Sequence, residues 1–222
     1  MNSPQHHSTD YWQAFIRANT KLIAPPLVPE LRLHLAEESL PIWQKTEDEL
    51  GELNVPPPYW AFAWAGGQAL ARYTLDHQEA VAGKRVLDLG TGSGLTALAS
   101  ARAGAAWVLA ADIDILALIA TRLNAEANAL AVTTTSENLL VQAPEAWDVI
   151  LVGDLFYERQ LADLVLRFID AARAMGAQVL IGDPQRNYFP RDRFCQVAFY
   201  QVPVTRELED AEIKRTVVWQ MP

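Results

Sequence analysis

"RVLDLGTGSGLTALASARAG", residues Arg85–Gly104, passes from a short apolar run into a glycine-rich loop and then into a stretch with helical spacing. A continuous apolar run that stops at small or acidic residues is the pattern of a strand buried on both faces of a parallel sheet. Working outward, the same pattern recurs in "WVLAAD" (107–112), "WDVILVGD" (147–154) and "AQVLIGD" (177–183). Helical stretches separate these runs, "ILALIATRLNAEANA" after the second and "RQLADLVLRFIDAARAMG" after the third. This βαβα alternation predicts a doubly wound α/β sheet. At the end of the chain "FCQVAFYQVPVT" and "KRTVVWQMP" read as two more strands joined by the charged turn "RELEDAEI". No crossover helix fits in that turn, so the two strands are expected to pair antiparallel.

Upstream, "PELRLHLAEESLPIWQKTEDEL" places Leu31, Leu35 and, past a turn, Leu40 on a buried helical stripe, so residues 1–55 read as an N-terminal helical extension to a domain spanning 56–222. "VPPPYWAFAWAGG" breaks that pattern, its prolines forbidding a helix start before Tyr59, and "QALARYTLDHQ" reads as the next helix. The 222 residues are half apolar and carry 18 basic against 27 acidic side chains, net −9. Such a balance argues against general nucleic-acid binding, which needs clustered Lys and Arg, and favours basic protein partners. Cys195 is the single cysteine, which excludes an intrachain disulfide and a cysteine-rich zinc site. Its apolar setting predicts a buried small hydrophobe. His6, His7, His34 and His77 lack metal-ligand spacing. The N-terminus lacks the basic and apolar segments of a secretory signal, and no apolar run reaches the ~20 residues that cross a bilayer, which predicts a cytoplasmic protein.

The glycine loop narrows the ligand. A dinucleotide site carries G-x-G-x-x-G, and here the third glycine position is Leu95. The spacing present is Asp88-x-Gly90-x-Gly92-x-Gly94. A carboxylate on the strand before the first glycine would repel a pyrophosphate and suits a cationic ligand end, such as the sulfonium and α-amino group of S-adenosylmethionine. Asp112 ends the second strand, where the acceptor for paired ribose hydroxyls belongs with either ligand.

"VGDLFY" puts Asp154, Phe156 and Tyr157 at the carboxyl edge of the sheet, where open α/β folds bind ligands. Methyl transfer needs a positioned nucleophile, and a lysine acceptor must also lose its proton, its ordinary pKa being ~10.4. Asp154 is expected to capture and orient the amine, and Phe156 and Tyr157 to line the channel, since aromatic faces attract ammonium and sulfonium groups. The competing reading makes Asp154 a cap of the following helix and the aromatics core.

Together "PPPYWAFAWAGGQALARY", "VLDLGTGSG", "ADID", "WDVILVGDLFY" and "VLIGDP" resemble the seven-β-strand lysine methyltransferases, in particular the electron transfer flavoprotein β-subunit lysine methyltransferase family. The resemblance runs from about Pro56 to the C-terminus. It implies a Rossmann-like class I methyltransferase sandwich, a mostly parallel sheet of strand order 3-2-1-4-5-7-6, and S-adenosylmethionine as donor. It also implies that Trp64 packs beside the cofactor, that Ile113 contacts adenine, that Asn138 lies along the adenine edge, and that Asp154–Tyr157 is the D-x-x-Y-type element. Animal members are mitochondrial, whereas this start contains Asp10 and has Arg17 as its first arginine, which suits a bacterial cytoplasmic member. The expected partner is the electron transfer flavoprotein β-subunit, with a ribosomal protein as a second substrate, no nucleic acid, no membrane and a monomeric enzyme. Two alternatives stay open. One is a methyltransferase for a small molecule or nucleic acid, against which "GDLFY" lacks the two prolines of an N-P-P-Y-like element. The other is a non-catalytic module that keeps the cofactor pocket.

Overall fold

A computed structural model describes residues 8–36, 57–204 and 212–222. Helix α1 (Thr9–Asn19) begins at Ser8, whose hydroxyl accepts from the N–H of Tyr11, and it buries Trp12 and Ile16. A small antiparallel pair follows, β1 (Lys21–Ile23) with β2 (Leu33–Leu35). The helical stripe expected through Leu31 and Leu35 is therefore not formed. Leu31, Leu33 and Leu35 are buried and alternate with Arg32 and His34, a period of two that suits a strand and not a helix. Leu40, His6, His7, the expected boundary at residue 55 and residues 206–211 of the charged turn lie outside the described residues.

The main sheet contains β3 (Arg85–Leu89), β4 (Trp107–Ala111), β5 (Thr133–Thr135), β6 (Val149–Gly153), β7 (Gln178–Asp183), β8 (Cys195–Pro203) and β9 (Ile213–Gln220), in the order β5-β4-β3-β6-β7-β9-β8. Counted from β3 as the first strand of this sheet, that is 3-2-1-4-5-7-6. The first five in spatial order are parallel, and β9 runs antiparallel to both β7 and β8. Cys195 opens the edge strand β8 and is exposed, contrary to the expectation of burial, because an edge strand leaves its outer positions uncovered.

Strand alternation divides the core into two layers. Leu87, Leu89, Ile150, Val152, Val179 and Ile181 face helix α5 (Arg159–Ala174), whose Ala162, Val165, Phe168, Ile169 and Ala172 form a stripe at helical spacing. Val86, Val108, Ala110, Val149, Leu151 and Leu180 face α2 (Ala65–Asp76) and α3 (Leu95–Arg102). Helix α4 (Ile115–Ala127) packs Leu116, Ile119 and Leu123 on Trp12, Ile16 and Trp60, so residues 8–19 are built into the core. Among the described residues no helix is long and apolar enough to cross a membrane.

Helix α2 starts at Ala65, three residues earlier than the sequence pattern suggests, and takes in Gly66 and Gly67. Its first turn presses on the end of β7. A Cβ on Gly66 would lie 2.2 Å from the carbonyl oxygen of Gly182, so only glycine permits this approach.

Candidate active site

The β3–α3 loop turns through Gly94, which caps α3 at φ +82°, a left-handed conformation that favours glycine. A Cβ there would also meet Thr121 at 2.8 Å. Asp88 does not reach into the ligand cavity as expected. It shares strand parity with Val86 and so faces α3. Its Oδ2 accepts from the hydroxyl of Thr91 at 2.6 Å and from the N–H of Ala97 at 3.0 Å. Burial pushes its carboxyl up to about 7, against the pull of those two donors. Asp88 braces the glycine loop from behind, and Gly94 turns it into α3; neither lines the cavity.

A cavity of about 780 Å³ opens at the carboxyl ends of β3, β4 and β6. Gly90 and Gly92 form its floor at one end beside Asp112. The two oxygens of Asp112 each take one backbone donor, Gly92 N–H at 2.9 Å and Asp114 N–H at 3.0 Å. A carboxylate accepts up to four hydrogen bonds, so both oxygens keep capacity for a ligand's hydroxyls. Burial raises its pKa, while the N–H donors of Asp114 and Gly92 oppose the rise. Asp114 caps α4 through Leu116 N–H, and burial carries its carboxyl up to about 6. Ile113, 71% exposed, presents an apolar face to the same end, with Asn138, Leu139 and Leu140 across from it.

The other end is built from β6, β7 and the start of α2. Asp154 follows β6 in a left-handed conformation, φ +58°. Its Oδ2 accepts from Gly66 N–H in the first turn of α2, and its Oδ1 accepts from Nε of Arg186 at 2.8 Å. Asp154 does not cap α5, whose N-cap is Glu158. Asp183, at the end of β7 and fully buried, sets the Arg186 backbone by accepting from the N–H groups of Gln185 and Arg186 at 2.6 and 2.8 Å. Burial, and then the neighbouring Asp154, push Asp183 up to about 7. Of the three non-glycine residues with positive φ among those described, two, Asp154 and Gln185, sit in this network. Such backbone strain concentrates where side chains must be held for function.

Tyr157 meets the cavity and is 47% exposed, 5.9 Å from the ring of Tyr59, which in turn lies 6.1 Å from Trp64. Burial raises the pKa of the Tyr157 hydroxyl. Trp64 donates its Nε1–H to the carbonyl of Tyr59 at 2.9 Å, which fixes the wall. Phe156 departs from its expected place: it is fully buried and packs edge-on against Phe189 at 5.1 Å. Both residues lie in the irregular loop between β6 and α5, which turns Phe156 into the core and Tyr157 to the open side. Trp60, 1% exposed, belongs to the core and still borders the cavity. The structure thus gathers Trp64, Gly90, Gly92, Asp112, Ile113, Asn138, Asp154 and Tyr157 on one cavity, and leaves Asp88, Gly94 and Phe156 outside its lining.

The model for the ribosomal protein L11 methyltransferase (PrmA) family matches residues 68–176. The electron transfer flavoprotein beta subunit lysine methyltransferase of Danio rerio is 38% identical over 220 residues, which cover 96% of this chain and 84% of that one. The ribosomal protein L11 methyltransferase of Deinococcus radiodurans is 32% identical, covering 76% and 65%. In fold, a ribosomal protein L11 methylase from Lactobacillus delbrueckii subsp. bulgaricus superposes with a TM-score of 0.50 at 22% identity, covering 69% of this chain and 76% of that one. The chain belongs to the electron transfer flavoprotein β-subunit lysine methyltransferase family.

The methyltransferase cavity suits a cationic ligand. Asp112, Asp114, Glu137, Asp154 and Glu158 line it, against one guanidinium, Arg186, among the described lining residues. Of these, Asp114, Glu137, Glu158 and Arg186 escaped sequence reasoning. Arg186 was findable by position, because the turn after "VLIGDP" leaves the same carboxyl edge of the sheet as the other two site loops.

Proposed function

We propose that this methyltransferase transfers methyl groups from S-adenosylmethionine to lysine side chains of the electron transfer flavoprotein β-subunit. The observation that carries the reading is the continuity of one cavity from the Asp112–Ile113 wall to the Asp154–Tyr157 wall, with Trp64 in its lining. The first wall offers what an adenosine needs: carboxylate oxygens for ribose hydroxyls and an apolar face for the base. When bound, S-adenosylmethionine supplies a methyl group whose bond to sulfur breaks, with its electron pair left on sulfur, as the acceptor's lone pair forms the new bond.

The chain's own residues do the rest. Asp112 orients the ribose, the anionic lining attracts a cationic cofactor and a cationic side chain, and Tyr59, Trp64 and Tyr157 form an aromatic mouth that a lysine can thread. Positioning of this kind is where enzymes lower the barrier of a displacement. The match of residues 68–176 to the PrmA family favours a ribosomal protein as a second substrate. Incubation with labelled S-adenosylmethionine and a bacterial extract tests the reading. Label in a protein band of the flavoprotein β-subunit supports it; label confined to nucleic acid or small molecules refutes it.

A further inference from the structure

A lysine acceptor raises a difficulty that the cavity lining makes acute. A carboxylate beside an amine stabilises the ammonium form, which has no lone pair to accept a methyl group. Asp154 is such a carboxylate, 7% exposed on the cavity wall. Its charge, however, is already met by Arg186, whose Nη2 lies 2.7 Å from Oδ1 and whose Nε donates to the same oxygen. The guanidinium also stands 5.8 Å from the centre of the Trp64 ring, so it lies against the aromatic wall. It is held from two sides, by Asp154 at its head and by Asp183 at its backbone. An arginine stays charged at any working pH, which makes this compensation permanent.

Resting on the lysine-methyltransferase reading, we infer that Arg186 is a positioning residue for the acceptor: by neutralising Asp154 it prevents that carboxylate from holding the lysine as an ammonium, and the amine reaches the methyl donor with its proton already lost to water. The other ionisable groups around this end are Tyr59 from the segment before α2, Tyr157 and Glu158 at the start of α5, and Asp183 at the end of β7. Asp112, Asp114 and Glu137 line the opposite end. Of the acids at the acceptor end, Asp183 is turned through its Oδ1 to the backbone of Gln185 and Arg186 and Glu158 is exposed to solvent, which leaves Asp154 as the buried charge on the cavity wall.

The test compares pH profiles of kcat/KM for the parent, Arg186→Lys, Arg186→Gln and the double variant Asp154→Asn/Arg186→Gln. In Arg186→Gln the uncompensated carboxylate should move the acidic limb up by about one pH unit or more, so that a rate ~10-fold low near neutrality recovers in alkaline buffer. Arg186→Lys should keep the parental profile, and the double variant should return the limb to its parental position whatever its absolute rate. A readout without cofactor comes from carbon NMR of the Asp154 carboxyl: its titration should rise in Arg186→Gln and not in Arg186→Lys. Unshifted limbs in all variants, with or without a loss of rate, would overturn the inference and leave Arg186 a packing residue. Failure of the parent to methylate any lysine would instead refute the functional reading, and the carboxyl titration would still report on the pair.

Discussion

Oδ1 of Asp154, at the end of β6, is bound at 2.8 Å by Nε of Arg186, which comes from the loop after β7. Two strand ends are thereby tied together across the acceptor end of the cavity, and the tie is anchored to the first turn of α2 through Gly66. Asp154→Asn preserves the shape of this junction but leaves the Arg186 guanidinium on the cavity wall without its counter-charge, a cation facing the incoming lysine. Methyl transfer should fall by a factor of ~10² or more, about 2.7 kcal/mol of transition-state stabilisation. Affinity for S-adenosylhomocysteine should stay near the parental value, because Asp112 and the glycine loop lie at the other end. Calorimetry beside single-turnover rates separates the two effects, and a variant with parental rates would reduce Asp154 to a structural contact.

Asp112 carries the complementary prediction. Asp112→Ala removes the acceptor for the ribose hydroxyls and frees the Gly92 N–H. Each charge-assisted hydrogen bond lost should cost on the order of 1.5–3 kcal/mol of binding. Titration calorimetry with S-adenosylhomocysteine reads this directly. NAD should give no saturable heat with the parent, since Leu95 stands at the third glycine position of a dinucleotide loop.

The buried Asp88 predicts an unusual pH dependence of stability. Burial raises its carboxyl from the ordinary 3.8 to about 7 in the folded protein. Between those values the folded state holds a proton that the unfolded chain has released, so stability falls as pH rises through this window. Asp88→Asn keeps an acceptor for Thr91 and Ala97 and does not titrate. From about pH 4 to 7 the parent should therefore lose roughly 2–4 kcal/mol relative to the variant. Urea unfolding of both proteins at several pH values checks the sign, and parallel curves would show that Asp88 stays ionised in the fold.

Gly66→Ala tests the close approach of α2 to the sheet. Its Cβ would collide with backbone, the Gly182 carbonyl, and with the Asp154 carboxylate, which Arg186 holds in place. Overpacking of this kind costs typically 1–3 kcal/mol. The variant should unfold at lower urea and lose transfer activity together, whereas Gly67→Ala, whose Cβ meets only the Thr96 hydroxyl at 4.0 Å, should be mild.

Much of this architecture was legible in the sequence because the central strands are buried on both faces and read as unbroken apolar runs. Strand β5 was not visible in the residues, since "TTT" is short, polar and at the sheet edge. Leu31 and Leu35 fit a helical period only if Leu33 between them is passed over. At the site, Asp112 and Tyr157 were found by their place at strand ends, and Ile113 only through the family resemblance. Asp88 was misplaced because strand parity, which points it at α3, outranks nearness to the glycines. Phe156 and Tyr157 have like chemistry and opposite surroundings, which no local pattern separates. The Asp154–Arg186 pair joins residues 32 apart in sequence, and only the parallel packing of β6 on β7 brings them together.

The most direct test is to incubate the purified protein with S-adenosylmethionine and purified electron transfer flavoprotein, and to map the products by peptide mass spectrometry. The account predicts methyl increments on lysines of the β-subunit, lost with Asp154→Asn and slowed by added salt, which screens the attraction between an acidic enzyme and a basic surface. An unmodified flavoprotein, in a reaction where the same enzyme methylates a nucleic acid or a small amine, would contradict it.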